Sequence, residues 1–121
     1  MSFVPAVDVG TPKHLTNSLL IVSDDPGVAG ISTVTITSGI PAGTKAIAGH
    51  ISIGGTVAGS YFTVDPVGGT TTANDLVRVQ VAGVVNDGSF FVRLNSSYQF
   101  DTYASAADIT SRNIMITTVY L

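Results

Sequence analysis

Cysteine, tryptophan and glutamate are absent from this sequence of 121 residues. Without cysteine the chain forms no disulfides and performs no thiolate chemistry, which fits synthesis in a reducing compartment. Only 11% of its residues are charged, against about 25% in an ordinary globular domain. Helices draw on Glu, Lys, Gln and Leu, whereas strands draw on Val, Ile and Thr. A chain without Glu in which Thr, Ser, Val, Gly and Ile dominate is therefore predicted to be all-β.

Long apolar runs and clusters of basic residues are also missing. The longest aliphatic run, residues 19–22, is far shorter than the ~18 residues that a membrane-spanning helix needs. The first ten residues lack both the basic start and the apolar stretch of a signal peptide. A net charge of −3 with five scattered basic residues speaks against a nucleic-acid partner. We expect neither membrane nor nucleic-acid binding, and a weakly charged surface that suits contact with other protein.

Strand-like segments recur along the chain with turn signals between them, a spacing typical of sandwiches and barrels. The predicted strands are residues 3–9, 17–23, 31–37, 45–53, 56–64, 76–85, 89–94, 98–103 and 112–120. No segment has a convincing helical period. We therefore predict one domain over residues 1–121, an antiparallel β-sandwich or jelly-roll-like barrel of about eight to nine strands.

Residues 76–103 are predicted to form a three-stranded meander. Asp87-Gly88 is a favoured two-residue hairpin turn, and it would place Val85 opposite Phe90 on the core face. A one-residue slip would mix core with solvent positions, which register selection disfavours. A short loop would then add the third strand, with Tyr98 on the same core face.

A glycine pair in the middle of the chain raises the question of a nucleotide site. Gly54 and Gly59 have the four-residue gap of a phosphate-binding loop, G-x-x-x-x-G-K-[ST]. Such a loop needs a lysine after the second glycine and a helix behind it, but Ser60 and Tyr61 follow here, inside a strand-like segment. We interpret the glycines as turn and cross-strand residues, with Gly54-Gly55 joining two strands in a hairpin.

No other spacing predicts an active site. His50 is interpreted as an ordinary strand residue and His14 as a loop residue, and zinc binding would require both plus aspartates from separate loops. The nucleophile elbow G-x-S-x-G and the calcium-loop pattern are both missing. Asp24 and Asp25 could form a weak surface cation site, although their place in a turn explains them without one. We expect no enzymatic activity, cofactor or catalytic residue.

Several features indicate a surface that contacts other protein. In the predicted hairpin, Val84 stands opposite Phe91 on the non-core face, where a second sheet or loop could cover them instead. The aliphatic run 19–22 needs burial on both faces, and the chain ends on apolar residues. The predicted interface residues are Phe3, Val84, Phe91, Arg93, Tyr120 and Leu121. These features favour a permanent oligomer.

Three stretches illustrate the composition of the predicted strands: "GSYFTVDPVGG", "VQVAGVVNDGSFFVRLNSS" and "NIMITTVYL". With its Thr/Ser/Val/Gly-rich strands, the chain resembles small β-rich structural proteins of tailed bacteriophage virions. The resemblance implies a capsid decoration (cement) protein, a homotrimer located in the virion that binds the major capsid protein where capsomers meet. A tail-fibre or tail-tip module that binds host carbohydrate is the alternative. The tyrosines available for a sugar are Tyr61, Tyr98, Tyr103 and Tyr120.

Overall fold

The structure, a computed structural model, describes residues 10–22, 29–69 and 76–121, which form eight strands. The strands are β1 (Pro12–Val22), β2 (Gly30–Thr35), β3 (Ala46–Gly55), β4 (Tyr61–Pro66), β5 (Leu76–Arg78), β6 (Asn86–Arg93), β7 (Gln99–Ala104) and β8 (Ile109–Tyr120). These ranges contain no helix, and hence none that could span a membrane. The predicted strand 3–9, Phe3, and the candidate cation ligands Asp24 and Asp25 lie outside the described residues.

The strands form two antiparallel sheets of four strands that pack face to face. Sheet A has the order β1-β8-β3-β6, and sheet B has the order β2-β7-β4-β5. Strands equally distant from the two ends of the series pair with each other: β1 with β8, β2 with β7, β3 with β6, and β4 with β5. The pairs β3–β8 and β4–β7 complete the sheets. This rolled-up hairpin is the arrangement of a jelly roll, so the predicted all-β fold class is confirmed.

The hydrophobic core lies between the two sheets and uses alternate residues of each strand, because successive side chains of a strand point to opposite faces. In sheet A, Ile47, Ile51 and Ile53 of β3 are fully buried. In sheet B, Phe62 of β4 and Phe100 of β7 are fully buried against them. Burial of each such side chain contributes about 1.5–3 kcal/mol, so this interior is what holds the two outer faces in place.

The predicted meander of residues 76–103 is wrong. The three strands it would have joined, β5, β6 and β7, lie alternately in sheets B, A and B. Asp87 and Gly88 are not a turn but part of β6, where they pair with β3. A Cβ atom on Gly88 would lie 2.5 Å from Cγ2 of Val77 in the other sheet. The glycine therefore serves the close approach of the two sheets rather than a change of chain direction.

The predicted hairpin at Gly54-Gly55 is wrong for the same reason, since β3 and β4 belong to different sheets. Both glycines end β3, and the chain crosses to sheet B over residues 56–60. Gly59 adopts a φ of +98° there and donates its N–H to the carbonyl oxygen of Val79 at 2.8 Å. The residues that follow form a strand, as predicted, and not the helix that a phosphate-binding loop requires.

Candidate functional site

The outer face of sheet A carries a cluster of apolar side chains. We call this cluster, Leu20, Ala48, Phe91, Met115 and Tyr120, the A face. Leu20 of β1 and Met115 of β8 are register partners, and they are 47% and 36% exposed. Phe91 of β6 is 38% exposed. Neighbouring apolar groups of this size on an outer face are typical of a surface that contacts another macromolecule.

The A face has an ordered aromatic centre. Phe91 and Tyr120 lie on strands that flank β3, opposite its small residues Ala48 and Ala46 respectively. Because neither alanine fills the space above β3, the two rings meet edge to face, with centroids 5.1 Å apart and planes at 86°. Such a pair is worth about 0.5–1.5 kcal/mol beyond the area it buries. The rings are thus held in place before any partner binds.

Two further predicted interface residues adjoin this centre. Arg93 and Tyr120 are both register partners of Ala46, on opposite sides of it. Arg93 is exposed and lies two residues from Phe91 on the same face of β6. The structure therefore brings Phe91, Arg93 and Tyr120 together on sheet A; their role as contact residues stays a prediction.

Val84 and Leu121 lie apart from that group. The predicted pairing of Val84 with Phe91 is wrong, because Val84 belongs to the connection between β5 and β6 and is 51% exposed there. Leu121 exchanges backbone hydrogen bonds with Thr11, at 2.8 and 3.0 Å. The Leu121 backbone is thus held by the residue that directly precedes β1, although the Leu121 side chain is 38% exposed.

Sequence reasoning missed a second apolar patch at one end of the sandwich. The turn 56–59 and the connection 79–85 adjoin there, and the N–H of Gly83 donates to the carbonyl oxygen of Gly55 at 2.8 Å. Four valines of these segments are 51% to 58% exposed: Val57, Val81, Val84 and Val85. The sequence analysis placed Val85 on the core face because it assigned this residue to a hairpin strand, whereas Val85 is 57% exposed.

Two tyrosines meet on the outer face of sheet B. The rings of Tyr61 and Tyr103 lie 5.9 Å apart between centroids, and the Arg78 guanidinium lies 5.3 Å from the centre of the Tyr61 ring. We call Tyr61 and Tyr103 the tyrosine pair. Of the other two candidate sugar-binding tyrosines, Tyr98 packs partly against the core and Tyr120 lies on sheet A.

The outer face of sheet B also buries two carboxylates. Asp65 of β4 and Asp101 of β7 are register partners, and only 3% and 7% of their surfaces are exposed. We call them the aspartate pair. Asp101 accepts hydrogen bonds from the Thr33 hydroxyl at 2.7 Å and the Gly68 N–H at 3.1 Å, and Asp65 accepts one from the Thr63 hydroxyl at 2.8 Å. The turn after β4 therefore folds back over carboxylates that an outward-facing position would otherwise expose.

The surroundings of Asp65 change its acidity. Burial raises the pKa of Asp65 above its ordinary value; the hydrogen bond from Thr63 acts in the opposite direction, and the charge of Asp101 raises the pKa further. The second oxygen, Oδ1, is inaccessible to solvent and has no hydrogen-bond partner among the described residues. In the sequence, Asp65 precedes Pro66, a local pattern typical of a turn, and no local signal indicates that Asp101 lies opposite Asp65.

Both histidines lie in strands of sheet A. His50 lies exposed in β3, in agreement with its interpretation as a strand residue. His14 was predicted in a loop but lies in β1, where Nδ1 is 3.0 Å from the Thr118 hydroxyl. In the described ranges, no three His, Asp, Glu or Cys side chains come together as metal ligands.

No protein-family model matches the chain, and none of the curated proteins matches it. The features that bear on function are therefore those on the outer faces of sheets A and B.

Proposed function

We propose that the chain is a non-enzymatic virion structural protein, a capsid decoration (cement) protein of a tailed bacteriophage that binds between capsomers. The observation that supports this proposal is the A face, an ordered and partly exposed apolar surface on a jelly roll. Jelly rolls recur among viral capsid domains. Because one fold hosts many functions, the jelly roll is compatible with this function but does not identify it. The support comes from the A face.

The composition of the A face suits a permanent protein contact. The centres of protein interfaces are enriched in aromatic residues, Met and Arg, and Phe91, Tyr120, Met115 and Arg93 supply these types on sheet A. The partner is a second copy of the chain or the major capsid protein. A standard interface buries about 1,600 Å². A homotrimer that engages several capsid subunits at once gains avidity beyond each single contact, which is how such a protein stabilises a shell without chemistry.

Sedimentation equilibrium of the purified chain tests the oligomer. We expect a trimer for the wild-type chain and a weaker one for Phe91→Ala, by about 2 kcal/mol or roughly 30-fold in dissociation constant. Ile31→Ala is the matched control, because Ile31 is a 62% exposed apolar residue on the outer face of sheet B. Far-ultraviolet circular dichroism verifies that both variants fold.

Co-sedimentation with capsids of the phage that encodes the chain tests the capsid contact. Wild-type protein and Ile31→Ala should pellet with the particles, and Phe91→Ala should remain largely in the supernatant. A chain that is monomeric at all concentrations and ignores capsids would contradict the proposal.

A tail-fibre or tail-tip module that binds host carbohydrate is the second candidate function. The observation that favours it is the tyrosine pair with the adjacent Arg78, since aromatic faces beside a polar group suit a sugar ring. On a glycan array, this function predicts a signal that Tyr103→Ala removes. Tyr120→Ala is the control, because Tyr120 lies on the other sheet. An array without signal for the wild-type chain would rule this candidate out.

A further inference from the structure

The aspartate pair places two acidic side chains side by side and away from water. Asp65 and Asp101 are direct register partners on adjacent strands, a position in which Cβ atoms are about 4.5–5.5 Å apart. Only 3% of the Asp65 surface and 7% of the Asp101 surface are exposed. Two ionised carboxylates in this position repel each other where water does not screen the repulsion. The pair therefore favours a state with one negative charge over a state with two.

The other groups on this face do not offset the repulsion. The described titratable or charged residues that share the outer face of sheet B with Asp65 are Asp101 and Tyr103 on β7, Tyr61 on β4 and Arg78 on β5. The flanking strand β2 and the turn 67–69 contain no titratable or charged residue. Arg78 is the register partner of Tyr61, four residues from Asp65 and thus about 13 Å away along β4. Its guanidinium donates to the carbonyl oxygen of Gly59 at 3.1 Å, and so it does not neutralise the pair.

The hydrogen bonds of the pair indicate which oxygen holds a proton. Three of the four carboxylate oxygens accept a hydrogen bond, from Thr33, Gly68 and Thr63. The fourth, Oδ1 of Asp65, has no donor among the described residues and no access to solvent. An ionised oxygen in this position is a buried acceptor without a partner, which is costly. A proton on Oδ1 turns this oxygen into a donor, and the oxygens of Asp101 each have a second lone pair to accept it.

We propose that the aspartate pair shares one proton in neutral solution, held on Oδ1 of Asp65 and donated to Asp101, and that this proton keeps the turn 67–69 closed over sheet B. Release of the proton to alkaline solvent leaves two negative charges in a buried position, and the turn must open to let water reach them. The bond from the Gly68 N–H to Asp101 breaks in that step; at 3.1 Å it is the longest of the three bonds to the pair. This pH-sensitive closure is independent of the A face and of the proposed virion function.

NMR of the aspartate carboxyl carbons over a pH series tests the shared proton directly, because the chemical shift of a carboxyl carbon reports its protonation. In the wild-type chain we expect the Asp65 carbon to have the shift of a protonated carboxyl in neutral solution and to titrate on the alkaline side. The Asp101 carbon should have the shift of a carboxylate in neutral solution. Hydrogen exchange in the same series tests the closure. As Asp65 loses its proton, the Gly68 amide should lose its protection relative to the amides that join β3 to β8.

Two variants and a control separate the pair from general charge. Asp65→Asn replaces the protonated carboxyl with a neutral amide that can still donate to Asp101, so protection of Gly68 should persist into alkaline solution. Asp101→Asn removes the neighbouring charge, so the pKa of Asp65 should fall. Asp87→Asn is the control, because Asp87 is exposed on sheet A and bonded to Ser52. It should leave the titration of Asp65 and the protection of Gly68 unchanged.

Three results on the wild-type chain would overturn the proposal. The first is that both carboxyl carbons have the shift of a carboxylate in neutral solution. The second is that the Asp101 carbon has the protonated shift in place of the Asp65 carbon, which would reverse the donor and the acceptor. The third is protection of the Gly68 amide that stays constant while Asp65 titrates, which would separate the proton from the turn. Since all three are measured on the wild-type chain, they decide the question even if both variants of the pair fail to fold.

Discussion

The outer faces of the two sheets differ in which side chains they expose and which they bury. On sheet A, Phe91 and Met115 are more than a third exposed. On sheet B, Thr63, Asp65 and Asp101 are buried at 0% to 7% exposure. Ordinary solvent-facing sheets show neither pattern, since their outward positions carry exposed polar residues. Both faces therefore depart from a surface built only to meet water.

The difference lies in what the chain itself supplies as a cover. The turn after β4 folds over sheet B, and the Gly68 N–H reaches Asp101. Phe91 and Met115 on sheet A, in contrast, stay more than a third exposed. Sheet B thus covers its buried carboxylates with residues of the same chain, whereas sheet A leaves apolar side chains partly exposed to solvent.

The largest effect is expected from a change that breaks the support of the A face. A Cβ atom on Gly49 of β3 would lie 1.8 Å from the carbonyl oxygen of Met115 in β8. Because the obstacle is backbone, the two central strands of sheet A must move apart, and Gly49→Ala should destabilise the protein by about 3 kcal/mol. Gly54→Ala, whose Cβ would meet nothing closer than 3.7 Å, is the control. Urea unfolding measures both, and equal midpoints would contradict the prediction.

The next effect concerns the buried polar groups of sheet B. Thr63→Val removes the hydroxyl that donates to Asp65 and leaves both oxygens of that carboxyl without a donor. We expect a loss of about 1–3 kcal/mol in the free energy of unfolding. Thr33→Val should cost less, since Thr33 is exposed and Asp101 keeps its bond from Gly68. A larger loss for Thr33→Val would mean that the buried bond matters less than the exposed one.

A smaller effect is expected from pH. Burial raises the pKa of Asp65 in the folded protein, so the folded state holds this proton more tightly than the unfolded chain. The contribution of Asp65 to stability is therefore fully present below its unfolded pKa and is lost as pH rises through its folded pKa. The stability of wild type relative to Asp65→Asn should increase as neutral solution is acidified toward pH 4. Chemical unfolding at several pH values measures this difference; a decrease would show that the native state favours the ionised form.

The smallest effect is expected from salt on self-association. Contacts made by apolar side chains are not screened by ions, whereas exposed charge pairs are. The dissociation constant of the proposed oligomer should stay the same or fall slightly between low and high NaCl. Analytical ultracentrifugation over that range measures it. Dissociation at high salt would assign the contact to Arg93 and other charges rather than to the aromatic pair.

Sequence reasoning predicted the fold class and the core-facing position of Phe90, because alternation of side chains does not depend on which strand is the neighbour. It placed Phe91 on the outer face for this reason, although the partner it assigned was wrong. Residues near a strand end, such as Val84, depended on the assumed hairpin and were misplaced with it.

The partners of the strands could not be predicted, because Asp87-Gly88 has the local pattern of a turn. The reason for the glycine is its close contact with Val77 of the other sheet, which the local sequence does not indicate. The aspartate pair was missed because its two members are far apart in sequence. Neither aspartate has an unusual local sequence, and only the register of β4 with β7 places them opposite each other.

The pairing of β1 with β8 has a consequence for how the protein is made. The first described strand, Pro12–Val22, finds its partner only once Ile109–Tyr120 has been synthesised. A nascent chain on the ribosome therefore presents an unpaired β1 edge until β8 has been synthesised. Closing such long loops is slow, and incomplete intermediates with open edges aggregate. Chaperone demand should thus persist until β8 leaves the exit tunnel.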